Sequence, residues 1–358
     1  MSGPPSISSF QSDKPLLESL TIDLLINIFG HTFMNPGFAL LLPLAYRAQT
    51  YHYLSPPVIY SSIYFVIVTI LFFWKFVNKR LAFGKKRGFD WTEEVVVITG
   101  GSSGLGLLIA ETYGMRGVSV AVLDVRKPEG GEARNVSFYK CDVGDKKQVA
   151  AAAKEIERDL GTPTVLINNA AVVYGKGILE LSDEEIEKTF SSNTLSAFHT
   201  IRQFLPGMQR LGKGSLITVS SVLSSVSPAN TSAYSASKAA IKSLHNSVTA
   251  ELMYTYPTIK TLLVCPGQLS TPLFDGVVTP STFFAPVLEP VEVAKEIIAA
   301  IDEGAGGVIA MPAYARWIGV MELLPDSWQR GLRWLSGCDN AMAGFKGREV
   351  KAEVENDE

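Results

Sequence analysis

Val95-Val-Val-Ile-Thr-Gly-Gly-Ser-Ser-Gly-Leu-Gly106 decides the fold of this 358-residue chain. Residues 95–98 are a short β-branched apolar run that reads as a buried strand. Residues 107–116 beyond the glycines carry Leu108, Ile109 and Tyr113 at helical spacing. Strand, glycine loop and helix in that order is the context in which glycines hold a pyrophosphate; without those flanks they would read as a surface loop. Gly100 and Gly104 let the backbone turn tightly and approach the phosphates, and Gly106 lets the helix pack closely on the strand. The free N–H groups at the helix start hold the charge. Gly100, Ser102, Ser103, Gly104, Leu105 and Gly106 are therefore the expected phosphate contacts.

Working outward, strands and helices alternate. A second strand at 118–125 holds Asp124, eighteen residues past Gly106, where a carboxylate accepts ribose hydroxyls and repels a 2′-phosphate. This favours NAD(H), although Arg126 and Lys127 just beyond suit a 2′-phosphate and leave NADP(H) open. A third strand at 136–141 is followed by Asp142 and Val143; Asp142 either meets the adenine edge or caps a turn. An Ala-rich helix at 146–160 leads to a strand at 164–167 ending in Asn168-Asn-Ala-Ala171. Helical periodicity over 183–208 contains Asn193, and a strand at 215–219 ends in Ser220-Ser221. A helix from Tyr234 to about Tyr254, a strand at 258–264 ending in Cys265-Pro-Gly267, a helix at 291–301 and a strand at 308–311 complete the series. The pattern predicts an α/β, Rossmann-type doubly wound parallel sheet in a single domain, with functional residues after strand ends.

Tyr234-Ser-Ala-Ser-Lys238 places two ionisable side chains on one face of a helix, one turn apart. An ammonium beside a phenol favours the phenolate, so the expected effect on the Tyr234 pKa is downward, towards a usable acid/base. Tyrosine and lysine at this spacing also occur on solvated helix faces, and the rest of the chain must decide.

Taken in order, Thr-Gly-x-x-x-Gly-x-Gly at 99–106, Asn-Asn-Ala at 168–170, Ser221, Tyr-x-x-x-Lys at 234–238 and Pro-Gly at 266–267 resemble the short-chain dehydrogenase/reductase family. Ser221 lies thirteen residues before Tyr234, a spacing common in that family. Ala171 departs from its Asn-Asn-Ala-Gly pattern. The resemblance covers residues 94–311. It implies that Tyr234 exchanges a proton with the substrate oxygen, and that Lys238 lowers its pKa and binds the nicotinamide ribose. Ser221 would hydrogen-bond the substrate oxygen, and Asn193 would hold a water that links Lys238 to solvent. Asn169 and Thr271 would contact the nicotinamide half, and Pro266 and Gly267 would line the cofactor site. Ser220 reads as structural.

The N-terminal ninety residues are of another kind. Residues 1–15 are polar and rich in Ser and Pro, which predicts disorder. Residues 16–45 are apolar but interrupted by Glu18, Asp23, Pro36 and Pro43, as in an interfacial or re-entrant segment. Residues 58–74 carry no charge, and the run continues past Lys75 to Val77, close to the ~20 residues that cross a bilayer. Lys75, Lys79, Arg80, Lys85, Lys86 and Arg87 flank it, so the positive-inside rule puts the remainder of the chain in the cytosol. The sequons at Asn135 and Asn230 are then expected to stay unmodified. A buried core helix is the alternative. The expected organisation is an N-terminal region at 1–90 with a transmembrane candidate at 58–77, and a dehydrogenase domain at 91–312. An amphipathic extension at 313–350 and a charged tail at 351–358 follow.

With a net charge of −3 and no basic run interleaved with aromatics, nucleic acid is not an expected partner. Three widely spaced cysteines suggest a reducing compartment, and no metal-ligand spacing is present. The apolar N-terminus and the stretch from Cys338 to Arg348 resemble the membrane-anchored retinol and hydroxysteroid dehydrogenase branch. That resemblance implies the endoplasmic reticulum membrane or lipid droplets, and lipophilic alcohols or ketones as substrates. Residues 268–290, with Leu273, Phe274, Val277, Val278, Phe283, Phe284, Val287 and Leu288, fold over the substrate in this family; packing on the domain or an oligomer contact would use the same residues. Trp317, Trp328 and Trp334 with Arg316, Arg330 and Arg333 suit a helix lying on a membrane or a homodimer interface. The leading reading is a membrane-anchored NAD(P)-dependent oxidoreductase of lipophilic alcohols. Its rivals are an NADPH-dependent lipid-ketone reductase, such as an acyl-dihydroxyacetone-phosphate reductase, and a non-catalytic lipid-droplet scaffold, which would predict a broken set at Asn193, Ser221, Tyr234 and Lys238.

Overall fold

In the computed structural model, residues 20–347 are described, except 129, 130 and 132; the polar start, Arg348 and the charged tail lie outside them. The described chain forms two compact units, residues 20–74 with 281–286 and residues 75–280 with 287–347.

In the first unit, α1 (Ile22–His31) and α2 (Pro36–Ala48) meet at a bend of 56°. Thr21 accepts the Leu24 N–H and Asn35 the Gly37 N–H, so each helix start is satisfied by its own cap, and Pro36 opens α2. The expected interruption of the 16–45 segment is this capped break. α3 (Pro56–Phe83) begins in the first unit and runs into the second. Its 28 residues extend about 42 Å at 1.5 Å per residue, more than a bilayer core of ~30 Å. Among the described residues it is the one unbroken helix long and apolar enough to cross a membrane.

The second unit is built on a seven-stranded, wholly parallel sheet in the order β3-β2-β1-β4-β5-β6-β7. Its elements are β1 (Val95–Thr99), α4 (Gly104–Met115), β2 (Ser119–Asp124), β3 (Val136–Lys140), α5 (Lys146–Asp159) and β4 (Val165–Asn168). They continue with α6 (Asp183–Phe190), α7 (Ser196–Leu211), β5 (Gly214–Val219), α8 (Ser232–Thr255), β6 (Ile259–Pro266), α9 (Pro290–Asp302), β7 (Gly307–Met311) and α10 (Asp326–Ser336). β1, β4, β5 and β6 are buried along their whole length, which is why they are rich in apolar residues without strict alternation, although β5 and β6 also bury Ser215, Thr218, Lys260 and Thr261. Val96 and Ile98 face a core with Ile109 and Tyr113 of α4 and Ile297 and Ile301 of α9. Val95 and Val97 face the opposite core, with Ile156 of α5, Phe204 and Met208 of α7, and Ile241 and Leu252 of α8.

The strand order reverses between β1 and β4, where Ile98 pairs with both Val122 and Ile167. In such sheets the crevice beyond the strand ends at that reversal receives the ligand. At the opposite end of the central strands lies a buried ion pair, Arg87 Nη2 to Glu94 Oε2 at 2.5 Å. Arg87 also donates to Ser215 Oγ at 3.0 Å, and the Thr164 hydroxyl donates to Glu94.

One element differs from expectation. The helix expected across 183–208 is interrupted by a π-helical turn, Ser191–Leu195, between α6 and α7. A wider turn of this kind occurs where a side chain must be re-aimed, and it holds Asn193.

Candidate active site

Beyond β1 the chain turns through Gly100 (φ +65°) and Gly104 (φ +55°), a region closed to most L side chains. A Cβ on Gly100 would stand 2.8 Å from the Ala170 Cα, and one on Gly106 would stand 2.4 Å from the Gly100 carbonyl oxygen. Gly106 was expected to bring helix and strand together; its closest neighbours are the loop itself and the Asn169 amide. That amide donates to the carbonyls of Thr99 (3.2 Å) and Gly100 (3.0 Å), while the Asn169 N–H donates to Thr99 Oγ1 at 2.9 Å. Asn169 thus braces the glycine loop from β4, a task the sequence did not indicate. Ser103 precedes α4, and the Ser102 N–H donates to Asp124 Oδ2 at 3.1 Å. The other oxygen of Asp124 accepts the Arg126 N–H at 3.3 Å. Ser102 Oγ is buried and has no partner among the described residues.

A cavity of about 310 Å³ opens over this loop. At one end it is lined by Gly100, Ser103, Gly104, Leu105, Asp124, Arg126, Asp142 and Val143. In the middle stand Asn169, Pro266, Gly267 and Thr271, and at the other end Ser221, Tyr234, Lys238, Leu273 and Phe274. Ser102, Gly106 and Asn193 lie outside its lining. Asp142 accepts Lys188 Nζ at 2.6 Å and the Gly144 N–H at 2.9 Å, which combines the turn role with a position on the cavity wall. Lys188 also lines the cavity, and nothing in its sequence neighbourhood signals that. Lys127 turns away, 5.9 Å from the Phe138 ring centroid, so Arg126 alone of that pair reaches the lining.

At the far end, Ser221 follows β5, and its hydroxyl accepts the Leu223 N–H at 3.2 Å. It also hydrogen-bonds the Tyr234 phenol. Tyr234 is 4% exposed, with its ring edge-on to Phe274 at 5.9 Å. One turn on, Lys238 is 2% exposed, donates to the Val219 carbonyl at 3.0 Å, and holds its ammonium 5.7 Å from the Tyr234 ring centroid. Burial lowers the Lys238 pKa to about 8. Burial also pushes the Tyr234 phenol well above its ordinary 10, with the Ser221 hydrogen bond opposing it. The lowering expected from Lys238 is not among the causes of this shift, which loss of water around the phenol dominates. The Ser220 hydroxyl donates to the Lys238 carbonyl at 2.9 Å, and Ser220 also lines the cavity.

Asn193 is fully buried, and its carboxamide is spent on protein. Oδ1 accepts the Val172 N–H at 2.7 Å, and Nδ2 donates to the Val172 carbonyl at 2.9 Å and to Ser237 Oγ at 3.0 Å. It ties the segment after β4 to α8, one residue from Lys238. Of the apolar residues expected over the substrate, Leu273 and Phe274 line the cavity together with Val172, Val173 and Tyr174. Leu288 is buried in the sheet core, and Phe283 accepts the Ile22 N–H within the first unit.

Compared with known proteins, residues 94–280 match the short chain dehydrogenase family. The chain belongs to that family. An uncharacterized oxidoreductase of Saccharomyces cerevisiae is 33% identical over 257 residues, 69% of this chain and 83% of the relative. Estradiol 17-beta-dehydrogenase 11 of Homo sapiens is 30% identical over 272 residues, 73% of this chain and 89% of that protein, in keeping with the resemblance to the hydroxysteroid branch. Among solved structures, a short-chain dehydrogenase/reductase from Burkholderia phymatum in complex with NAD superposes with a TM-score of 0.58 at 25% identity, over 66% of this chain and 95% of that one. As a short-chain dehydrogenase the protein is an oxidoreductase acting on CH–OH groups with a nicotinamide cofactor. Its residues fit that cofactor: side chains are excluded at Gly100 and Gly106, the Asp124 carboxylate is fixed at the end of β2, and a buried hydroxyl at Ser102 lacks a partner.

Proposed function

We propose that this dehydrogenase is tethered to a membrane by α3, and interconverts lipophilic secondary alcohols and ketones with NAD(H) at the cytosolic side of the endoplasmic reticulum or of lipid droplets. The observation that carries the reading is the convergence of Ser221, Tyr234 and Lys238 on one end of a cavity whose wall there is apolar, with Val172, Val173, Leu269, Leu273 and Phe274. When bound, the nicotinamide supplies or accepts the hydride. Gly100, Ser103, Gly104 and Leu105, which line the cavity, would hold the pyrophosphate by backbone approach, with Ser102 and Gly106 shaping the loop behind them. Asp124 holds the adenosine ribose, and Asp142 and Val143 flank the adenine. Asn169 keeps the glycine loop in shape, while Pro266, Gly267 and Thr271 border the nicotinamide half.

Tyr234 exchanges the proton with the substrate oxygen, and Ser221 donates a hydrogen bond to that oxygen as charge develops on it. The Lys238 cation favours the phenolate when Tyr234 gives its proton away. Asn193 positions α8 through Ser237. The apolar α3, and relatives such as estradiol 17-beta-dehydrogenase 11, support a substrate that arrives through lipid. The organisation that goes with this reading is a membrane region at 1–90, a dehydrogenase domain at 91–312 and an interfacial extension at 313–350.

A second reading, NADPH-linked reduction of a lipid ketone, is favoured by one observation: Arg126 lines the cavity beside Asp124, where it would pair with a 2′-phosphate. Full-length protein in detergent, supplied with estradiol or retinol, is expected to reduce NAD+ faster than NADP+. Tyr234→Phe should cut turnover by about 10²–10⁴ while NAD(H) affinity stays. Undiminished turnover in that variant would refute the mechanism, and a preference for NADPH and ketones would favour the second reading.

A further inference from the structure

Three loops supply the walls at the substrate end of the cavity, and one C-terminal segment, residues 337–347, ties all three together. The first loop follows β4 and lines the cavity with Val173 and Tyr174. The next residue, Gly175, is packed flush: a Cβ there would stand 2.2 Å from the Phe345 ring and 2.9 Å from Met342 Cε. The second loop follows β6 and lines the cavity with Leu273 and Phe274. Immediately after it, the Asp275 carbonyl accepts the Lys346 N–H at 3.0 Å and the Gly347 N–H at 3.2 Å, and the Val278 N–H donates to the Ala341 carbonyl at 3.0 Å. Gly276 lies so close to the Gly344 carbonyl that no side chain fits between them. The third loop leads from Ser221 into α8. Here the Ala229 N–H donates to Asp339 Oδ1 at 3.1 Å, and Asp339 pairs with Arg333, which donates to the Ser227 carbonyl at 2.9 Å.

None of the strap residues lines the cavity itself. Their contacts begin one or two positions beyond Tyr174 and Phe274, at Gly175, Asp275 and Gly276, and fall farther along their loops at Val278, Ser227 and Ala229. Phe274, held by the strap on one side, also presses edge-on against the Tyr234 ring. A backbone segment joined by hydrogen bonds to one lip, and wedged by an aromatic ring against a glycine on the other, fixes the distance between the lips. We propose that Phe345 and Met342, seated on Gly175, are positioning residues that set the width of the substrate end of the cavity, and so select bulky lipophilic alcohols over small ones. This rests on the proposed alcohol chemistry and adds where its selectivity is built.

Cavity walls made of loops are mobile unless braced, and an apolar ligand is held only as well as its walls stay in contact with it. Removing the Phe345 ring frees the Val173–Gly175 side and leaves the dinucleotide end untouched, because that end is built by the glycine loop, β2 and β3. A purely structural defect would instead weaken both ends together.

The test uses the full chain in detergent with Phe345→Ala, Phe345→Leu and Gly175→Ala. Kinetics with estradiol and with cyclohexanol, and equilibrium binding of NAD+ and of estradiol followed by intrinsic fluorescence, are measured for each. In Phe345→Ala the KM and dissociation constant for estradiol should rise about tenfold, the scale of one or two lost methylene contacts in an apolar pocket. The KM for cyclohexanol and the affinity for NAD+ should change by less than about twofold, well inside that scale. Phe345→Leu should recover most of the loss. Gly175→Ala, which displaces the ring without removing it, should repeat the Phe345→Ala profile. Parallel loss of estradiol and NAD+ binding, or estradiol constants equal to those of the unmodified protein, would overturn the proposal. A wild-type protein that turns over neither alcohol would strike the proposed function first and this inference with it, whereas an active wild type with unaffected variants strikes the strap alone.

Discussion

Replacing Lys238 with methionine is expected to make the protein more stable and inactive. The side chain is 2% exposed, and its ammonium has one carbonyl acceptor, Val219, with no carboxylate to offset it among the described residues. A fall in pKa from 10.5 to about 8 corresponds to about 3 kcal/mol against the charged form in the folded protein. The sign follows from proton counts. Below pH 8 both folded and unfolded chains carry the proton, and the folded state bears the whole cost. Between about 8 and 10.5 the folded lysine has released its proton while the unfolded one retains it, so this group's contribution to stability rises with pH. Methionine has a similar length and no charge, so it removes the cost at neutral pH. Burial raises the Cys265 thiol and the Tyr113 and Tyr234 phenols, so the unfolded chain releases these protons before the folded one and their contributions carry the opposite sign; the measured quantity is therefore the difference between wild type and variant. Denaturant unfolding of both proteins without cofactor, at pH 7 and near pH 10.5, should show Lys238→Met ahead by about 1–3 kcal/mol at pH 7. That lead should shrink by a similar amount at the higher pH. Turnover by the variant should be lost at every pH. A variant less stable than wild type at pH 7, or a difference that does not change with pH, would refute the assignment of an uncompensated buried charge.

Two further outcomes check other parts of the structure. Gly106→Ala puts a methyl group 2.4 Å from the Gly100 carbonyl and 2.7 Å from the Asn169 amide; it should weaken NAD+ binding about tenfold or more, read by fluorescence titration, since a displaced binding loop carries penalties of that order. Truncations should separate membrane attachment from stability. Chains beginning at Lys85 and at Trp91 should both leave the membrane fraction, but the shorter one lacks Arg87 and leaves Glu94 buried with only Lys213 at 3.7 Å, so it should be about 3 kcal/mol less stable in urea.

What the sequence made legible is what is local. The glycine loop lies within one strand-to-helix junction, Tyr234 and Lys238 stand one turn apart in α8, and the acid closes β2, so spacing within each short stretch places them. The parallel sheet was legible for the same reason: strands buried on both faces leave short runs rich in apolar residues, unbroken at 95–98 and interrupted by Lys260 and Thr261 in β6. Contacts that join distant segments left no such trace. Lys188 reaches Asp142 across 46 positions, and Asn169 spends its amide on the loop from β1. The π-helical turn at Asn193 is invisible to a periodicity count, because one widened turn shifts the pattern by less than the scatter of apolar positions. The phenol was misjudged for a related reason. Spacing reports which charge stands nearby, whereas the shift is dominated by burial, which only the packed structure reveals.

Burial acts on the two members of the pair with opposite signs, raising the phenol and lowering the ammonium. At neutral pH the favoured arrangement is therefore a protonated phenol near a lysine that is still mostly charged, which is a proton donor poised towards the cavity. To accept a proton from an alcohol the phenol must first ionise, and in a site where burial makes that ionisation costlier than in water, a cation close to its ring is the group that can offset part of the cost. Ser221 acts in the same direction through its hydrogen bond to the phenol. In the proposed mechanism, a buried ammonium that is costly to the fold is also the group that would give Tyr234 access to both protonation states. A neutral side chain at 238 would relieve the fold and leave the phenol fixed as an acid, which is why stability and turnover are expected to move in opposite directions there.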